Sequence, residues 1–268
     1  MLGAIIGDIV GSRFEWHNIK NKKFELFTGK CFPTDDSIMT LAVAKALCAC
    51  NGDYTDLSEQ AISYMQDIGR PYPLCGYGGR FFDWMYSDDP KPYGSYGNGA
   101  AMRVSACGFA AESLEQAIVL SRRVTEVTHD HPEGIKGAEA TAVAIYLAKT
   151  GSSREEIRAY IHAHYYPMDF TLDGIRDSYD FDVTCQGTVP QAIMAFLESV
   201  DFEDAIRNAI SLGGDSDTLA AITGGIAEAY YGIPEKLRRT ALLYLDELQR
   251  KVLDEVESTP WGRPRLAE

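Results

Sequence analysis

Two short blocks of the chain set carboxylates where apolar helices should begin. "PTDDSIMT" places Thr34, Asp35 and Asp36 ahead of an apolar run, and "GGDSDTLAAITGG" places Asp215, Asp217 and Thr218 ahead of a run of small residues. Taken singly, each block is accounted for by helix capping, because threonine caps free N–H groups and acids in a first turn favour the helix dipole. Taken together, they offer two aspartates and a threonine hydroxyl at each of two helix starts far apart in sequence. If the starts face each other, four carboxylates converge, and like charges at such distances raise one another's pKa or require cations. Oxygen-only donors select Mg²⁺, Mn²⁺ or Ca²⁺ over zinc or copper. Two dications roughly 3.5–4 Å apart would neutralise the four aspartates, clamp a substrate and activate a water. The expected ligands are Thr34, Asp35, Asp36, Asp215, Asp217 and Thr218.

Three further stretches hold polar groups with a use. In "GAIIGDIVGSRFEW", Gly3, Gly7 and Gly11 are spaced by four. That spacing does not fit a dinucleotide fingerprint but puts all three on one helical face for close contact. Asp8 lies inside this run, and Glu15 follows it in a polar loop, where a carboxylate is free to swing over a pocket. "YGSYGNGAAMRVS" is a glycine loop running into a helix. Gly94, Gly97 and Gly99 leave backbone N–H groups open to phosphate oxygens, and Tyr93 and Tyr96 offer faces to a base. In the same stretch Asn98 reads equally as an N-cap and Arg103 as a partner for a carboxylate. "VTHDHPEG" sets His129 and His131 before a long helix, as hydrogen-bonding groups or as the entry to that helix with Pro132 in its first turn.

The elements that must position these groups are helical. In "DFEDAIRNAISL", Phe202, Ala205, Ile206, Ala209 and Ile210 form one stripe at i, i+3, i+4, i+7 and i+8, and "SLEQAIVLSRRVTEV" repeats the device. Ser113…Gln116, Asp56…Glu59 and Ser153…Glu156 read as capping boxes. Gly52, Gly151 and Gly232 read as stops, the last with Pro234 opening a long C-terminal helix. Alternating strands are nearly absent, which predicts an all-α, compact single-domain bundle over 1–268 with roughly a dozen helices. The irregular stretches 71–99 and 165–190 read as a long binding loop and a surface loop.

Composition narrows the partners. A net charge of −14, from 39 acidic and 25 basic residues, argues against a basic nucleic-acid groove or an anionic lipid surface. No apolar run is long enough for a membrane span. The six cysteines show no C-x-x-C pair and the start is not signal-like, so reduced thiols in the cytoplasm are expected.

In order along the chain, "GDIVGSRFE", "PTDDSIM", "GSYGNGAAMRVS", "THDHPEGIKGA" and "GGDSDTLAAITGGIAEAYYG" resemble the ADP-ribosylglycohydrolase family. The resemblance implies an all-α fold with a binuclear metal cleft holding two divalent cations, Mg²⁺ or Mn²⁺. It implies a mobile, metal-covering glutamate at Glu15, a loop for the diphosphate and distal ribose at Ser95, Tyr96, Gly97 and Asn98, and a ligand contact at His129. The activity implied is hydrolysis of the glycosidic bond at the anomeric carbon of the distal ribose of an ADP-ribosylated protein or small molecule. ADP-ribose would leave as product, with Asp36 or Glu15 orienting or deprotonating the water. The same oxygens would serve a two-metal phosphoryl hydrolase, or a pocket that binds ADP-ribose without turnover.

Overall fold

The computed structural model describes residues 1–267 and contains, among them, fourteen α-helices and two short 3₁₀ turns, with no strand beyond isolated bridges. In chain order the helices are α1 (Leu2–Gly11), α2 (Asp35–Ala49), α3 (Leu57–Gly69), α4 (Gly79–Tyr86), α5 (Ser105–Ala110), α6 (Leu114–Thr125) and α7 (Pro132–Lys149). They continue with α8 (Arg154–His164), α9 (Leu172–Ile175), α10 (Cys185–Leu197), α11 (Phe202–Ile210), α12 (Ser216–Tyr231), α13 (Glu235–Leu242) and α14 (Glu247–Glu257). The all-α class expected from periodicity is the one observed.

α12 lies at the centre, buried from Ser216 through Ala229 and packed against α1, α7, α10 and α11. Small residues make this possible. Gly3, Gly7 and Gly11 of α1 face the α12 backbone so closely that a methyl group on Gly7 would overlap the Ala220 carbonyl, and one on Gly11 would lie 2.5 Å from Asp217 Cα. Two successive left-handed residues, Gly213 and Gly214 at φ 70° and 69°, turn the chain from α11 into α12. Only glycine takes that conformation at little cost, and the turn delivers Asp215 to the helix start.

Gly52, Gly151 and Gly232 all have positive φ, as helix stops should. Ser153 and Glu156 form a reciprocal capping box; Ser113 caps Gln116 N, but Gln116 Oε1 turns to Glu112 N instead. Asp56 occupies an N-cap position without a side-chain cap bond. The long C-terminal helix is two: Pro234 precedes α13 rather than lying in its first turn, and Asp246 with Gln249 opens α14 by a capping box. The stretch 71–99 is not all loop, since Phe81, Trp84 and Met85 bury one face of α4.

Candidate active site

The starts of α2 and α12 meet at the floor of a cleft of about 440 Å³. Asp36 and Thr218, from the two helices, are joined directly: the Thr218 hydroxyl donates to Asp36 Oδ2 at 3.2 Å. Carboxylate oxygens of Asp8, Asp36 and Asp217 lie within 4.8 Å of one another, and so do those of Glu15, Asp215 and Asp217. Asp217 belongs to both triads.

Each acid has a distinct setting. Asp8 is fully buried and accepts from Thr34 N (2.9 Å), Thr34 Oγ1 (2.6 Å), Ser37 N (3.1 Å) and Ser37 Oγ, which ties the start of α2 to α1. Thr34 also caps α2 by accepting from Asp36 N. Asp36 keeps Oδ1 buried with no hydrogen-bond partner. Asp215 Oδ2 accepts from the Asn98 amide at 2.7 Å. Asn98 is therefore not an N-cap, a position that Gly97 takes; its side chain crosses the cleft floor instead. Glu15 ends the 3₁₀ turn Ser12–Phe14 and is half-buried. The Asn18 amide fixes that turn, donating to Phe14 O (2.7 Å), Glu15 O (2.9 Å) and Gly214 O (2.9 Å) while its Oδ1 accepts from Gly214 N (2.8 Å). Asp35 lines the cleft but stands outside both triads.

This crowding disfavours ionisation. Burial, followed by repulsion from neighbouring aspartates, pushes Asp35, Asp36 and Asp217 well above the usual carboxylate range. Burial, then Asp215 and Asp8, raises Glu15 to about 7, and burial raises Asp8 to about 6. Among the described residues, none of the ion pairs reaches any of these acids. All-oxygen donors, a bare buried Asp36 oxygen and uncompensated carboxylates fit hard divalent cations.

The walls come from elsewhere in the chain. Ser95, Gly97, Asn98 and Gly99 supply one side, with His129 and Tyr93 behind them. Tyr96 is not among the lining residues; it is half-exposed and packs on His131, with ring centroids 5.1 Å apart. His131 caps α7 by accepting from Glu133 N (3.1 Å), with Pro132 in the first turn. Arg103 is buried and meets no carboxylate: it donates to Val124 O and Thr128 Oγ1 and lies over the Phe81 ring. The stretch 165–190 is not only a surface loop, since part of it reaches the cleft. Val183 O accepts from Asn98 N (2.8 Å), Tyr96 O accepts from Cys185 N (2.9 Å), and Phe181 and Val183 line the cleft. Phe181 stacks on Trp16 at 5.1 Å, forming an apolar rim beside Glu15.

Fold and floor together define the class. The sequence matches the ADP-ribosylglycohydrolase family model over residues 1–261, and the chain belongs to that family of glycosidic-bond hydrolases. Among individual proteins it is similar to ADP-ribosylhydrolase ARH3 of Mus musculus, 26% identical over 313 residues that cover 88% of this chain and 83% of the relative. It is also similar to ADP-ribosylarginine hydrolase Tri1 of Pseudomonas putida, 25% identical with 95% and 76% covered. A solved structure described as an ADP-ribosylglycohydrolase-related protein complex superposes with a TM-score of 0.69 at 25% identity, over 95% of this chain and 93% of that one.

Proposed function

We propose that the protein releases ADP-ribose from an ADP-ribosylated protein or small molecule with the help of two divalent cations, Mg²⁺ or Mn²⁺. Asp8, Asp36 and Asp217 would hold one, and Glu15, Asp215 and Asp217 the other, with Asp35, Thr34 and Thr218 supplying further oxygens. When bound, such a pair supplies Lewis acidity for the vicinal hydroxyls of the distal ribose and for a water. The chain's own groups do the rest. Ser95, Gly97 and Gly99 present backbone to the diphosphate, and His129 hydrogen-bonds the nucleotide. Glu15 or Asp36 takes a proton from the attacking water as its oxygen bonds to the anomeric carbon. The bond to the acceptor breaks with its electron pair leaving on the acceptor, which is then protonated. Negative carboxylates beneath the ring favour the positive charge that develops there. The observation that carries this reading is the pair of triads sharing Asp217 at the floor of one cleft.

Chelation is expected to abolish turnover, and Mg²⁺ or Mn²⁺ to restore it. Incubation with defined arginine, serine and nucleic-acid-base linkages, followed by mass analysis, should give intact ADP-ribose. AMP and ribose phosphate would instead identify a phosphoryl hydrolase, and tight ADP-ribose binding without turnover a binding module.

A pH dependence follows from the raised acids. Asp8 rises from 3.8 to about 6 and Glu15 from 4.5 to about 7, so between those values the folded chain binds more protons than the unfolded one. Stability of the chelated protein should therefore fall as pH rises from about 4 through 7. Thermal melts at pH 5.5 and pH 8 should show the loss, and added Mn²⁺ should reverse it at the higher pH. A melting point independent of both pH and Mn²⁺ would contradict the cation reading.

No helix among the described residues is long and apolar enough to cross a membrane. All six cysteines are free thiols, which supports a cytoplasmic setting as part of the same proposal.

A further inference from the structure

Behind the glycine loop, His129 is almost wholly buried, and its two ring nitrogens face different surroundings. Nδ1 lies 2.7 Å from the Thr128 hydroxyl. Nε2 has no hydrogen-bond partner among the described residues, and it points at the backbone of Gly97 and Gly99, where a methyl group would lie 3.7 and 3.4 Å away. It is the nitrogen that a ligand in the cleft would meet.

The Thr128 hydroxyl has one proton to give, and its neighbours decide where it goes. Arg103 Nη2 donates to it at 2.6 Å, and a guanidinium has no acceptor capacity, so that lone pair is taken. The other acceptor in reach is Thr125 O, at a longer 3.3 Å. That carbonyl already accepts from Thr128 N (3.1 Å) and His129 N (2.8 Å), which uses both of its lone pairs. Nδ1 is left as the better acceptor. Burial and the charges of Arg103 and Arg80 favour the neutral imidazole.

We infer that Arg103, acting through Thr128, holds His129 in the neutral tautomer with its proton on Nε2, so that His129 enters the cleft as a hydrogen-bond donor to an acceptor oxygen of the substrate. Arg103 and Thr128 are positioning residues in this scheme. The assignment explains why a fully buried arginine lines an acidic cleft without pairing to any carboxylate. It rests on the cleft being the substrate site proposed above.

The test uses the full chain with ¹⁵N-labelled histidine, and His129→Gln identifies the resonance among the five histidines. At neutral pH the wild type should show a pyrrole-type Nε2 and a pyridine-type Nδ1. Thr128→Val, nearly isosteric, should mix the tautomers and weaken ADP-ribose binding about tenfold by calorimetry in Mg²⁺ buffer, the cost of one misdirected hydrogen bond. Thr128→Ser should restore both. A pyrrole-type Nδ1 in the wild type would overturn the inference, and so would unchanged tautomer and affinity in Thr128→Val. The NMR signature needs no substrate, so a protein that turned over no linkage would sink the proposed activity while leaving the tautomer intact.

Discussion

Asp217→Asn is expected to lower the release of ADP-ribose by about 10³-fold or more, the scale on which loss of a central charge in a preorganised site is felt. Asp217 is the one carboxylate common to both triads, so a neutral amide there weakens both at once. The same substitution should leave the chelated protein more stable than wild type. Burial and repulsion from Asp215 and Asp36 oppose the ionised form of Asp217, and the amide removes that repulsion while preserving shape. Thermal melts with and without Mn²⁺ read both effects: a higher baseline melting point, and a smaller rise on adding cation. Asp35→Asn, outside both triads, should cost less activity. Equal losses at positions 35 and 217 would show that the shared carboxylate has no special place.

Gly7→Ala should be the most damaging small change in the scaffold. The added methyl would overlap the Ala220 carbonyl, and the obstacle is backbone of a buried helix, not a side chain that can rotate away. Relief requires α1 and α12 to separate, which costs about 3 kcal/mol by the scale of overpacked cores. Denaturant unfolding should show the loss. Activity should fall with it, because α1 carries Asp8 and α12 carries Asp217. Full stability in Gly7→Ala would mean that the helices are not in backbone contact.

The helix start at Thr34 is legible because capping chemistry is local, and the one at Asp215 because small residues advertise close packing, although the Asp215 side chain itself makes no cap bond. The glycine spacing in α1 likewise announced a contact face, though not the partner. Asp8 was harder to place. A carboxylate inside an apolar helix signals a buried polar role, but its four donors come from Thr34 and Ser37, which reach it only after α2 packs on α1. Asn98 and Arg103 show the same limit. Each has a reasonable local partner in the sequence, a cap or a carboxylate, and each bonds across the molecule instead, Asn98 to Asp215 and Arg103 to Thr128. Asn18 gave no signal at all, being an ordinary loop residue until the Gly213–Gly214 turn is laid beside it. Local chemistry marks where a helix begins; tertiary crossing decides which side chains share a floor.

The interlocked backbones of α1 and α12 also constrain how such an enzyme can diversify. Gly11 abuts Asp217 and Gly7 abuts Ala220, so almost any substitution along that seam shifts the cleft floor. The border formed by Trp16, Phe181 and Val183 is exposed, and none of its side chains packs into the seam. New acceptor preferences should therefore accumulate at that border while the seam stays invariant, and a library randomised at positions 16, 181 and 183 should yield altered selectivity without loss of folding.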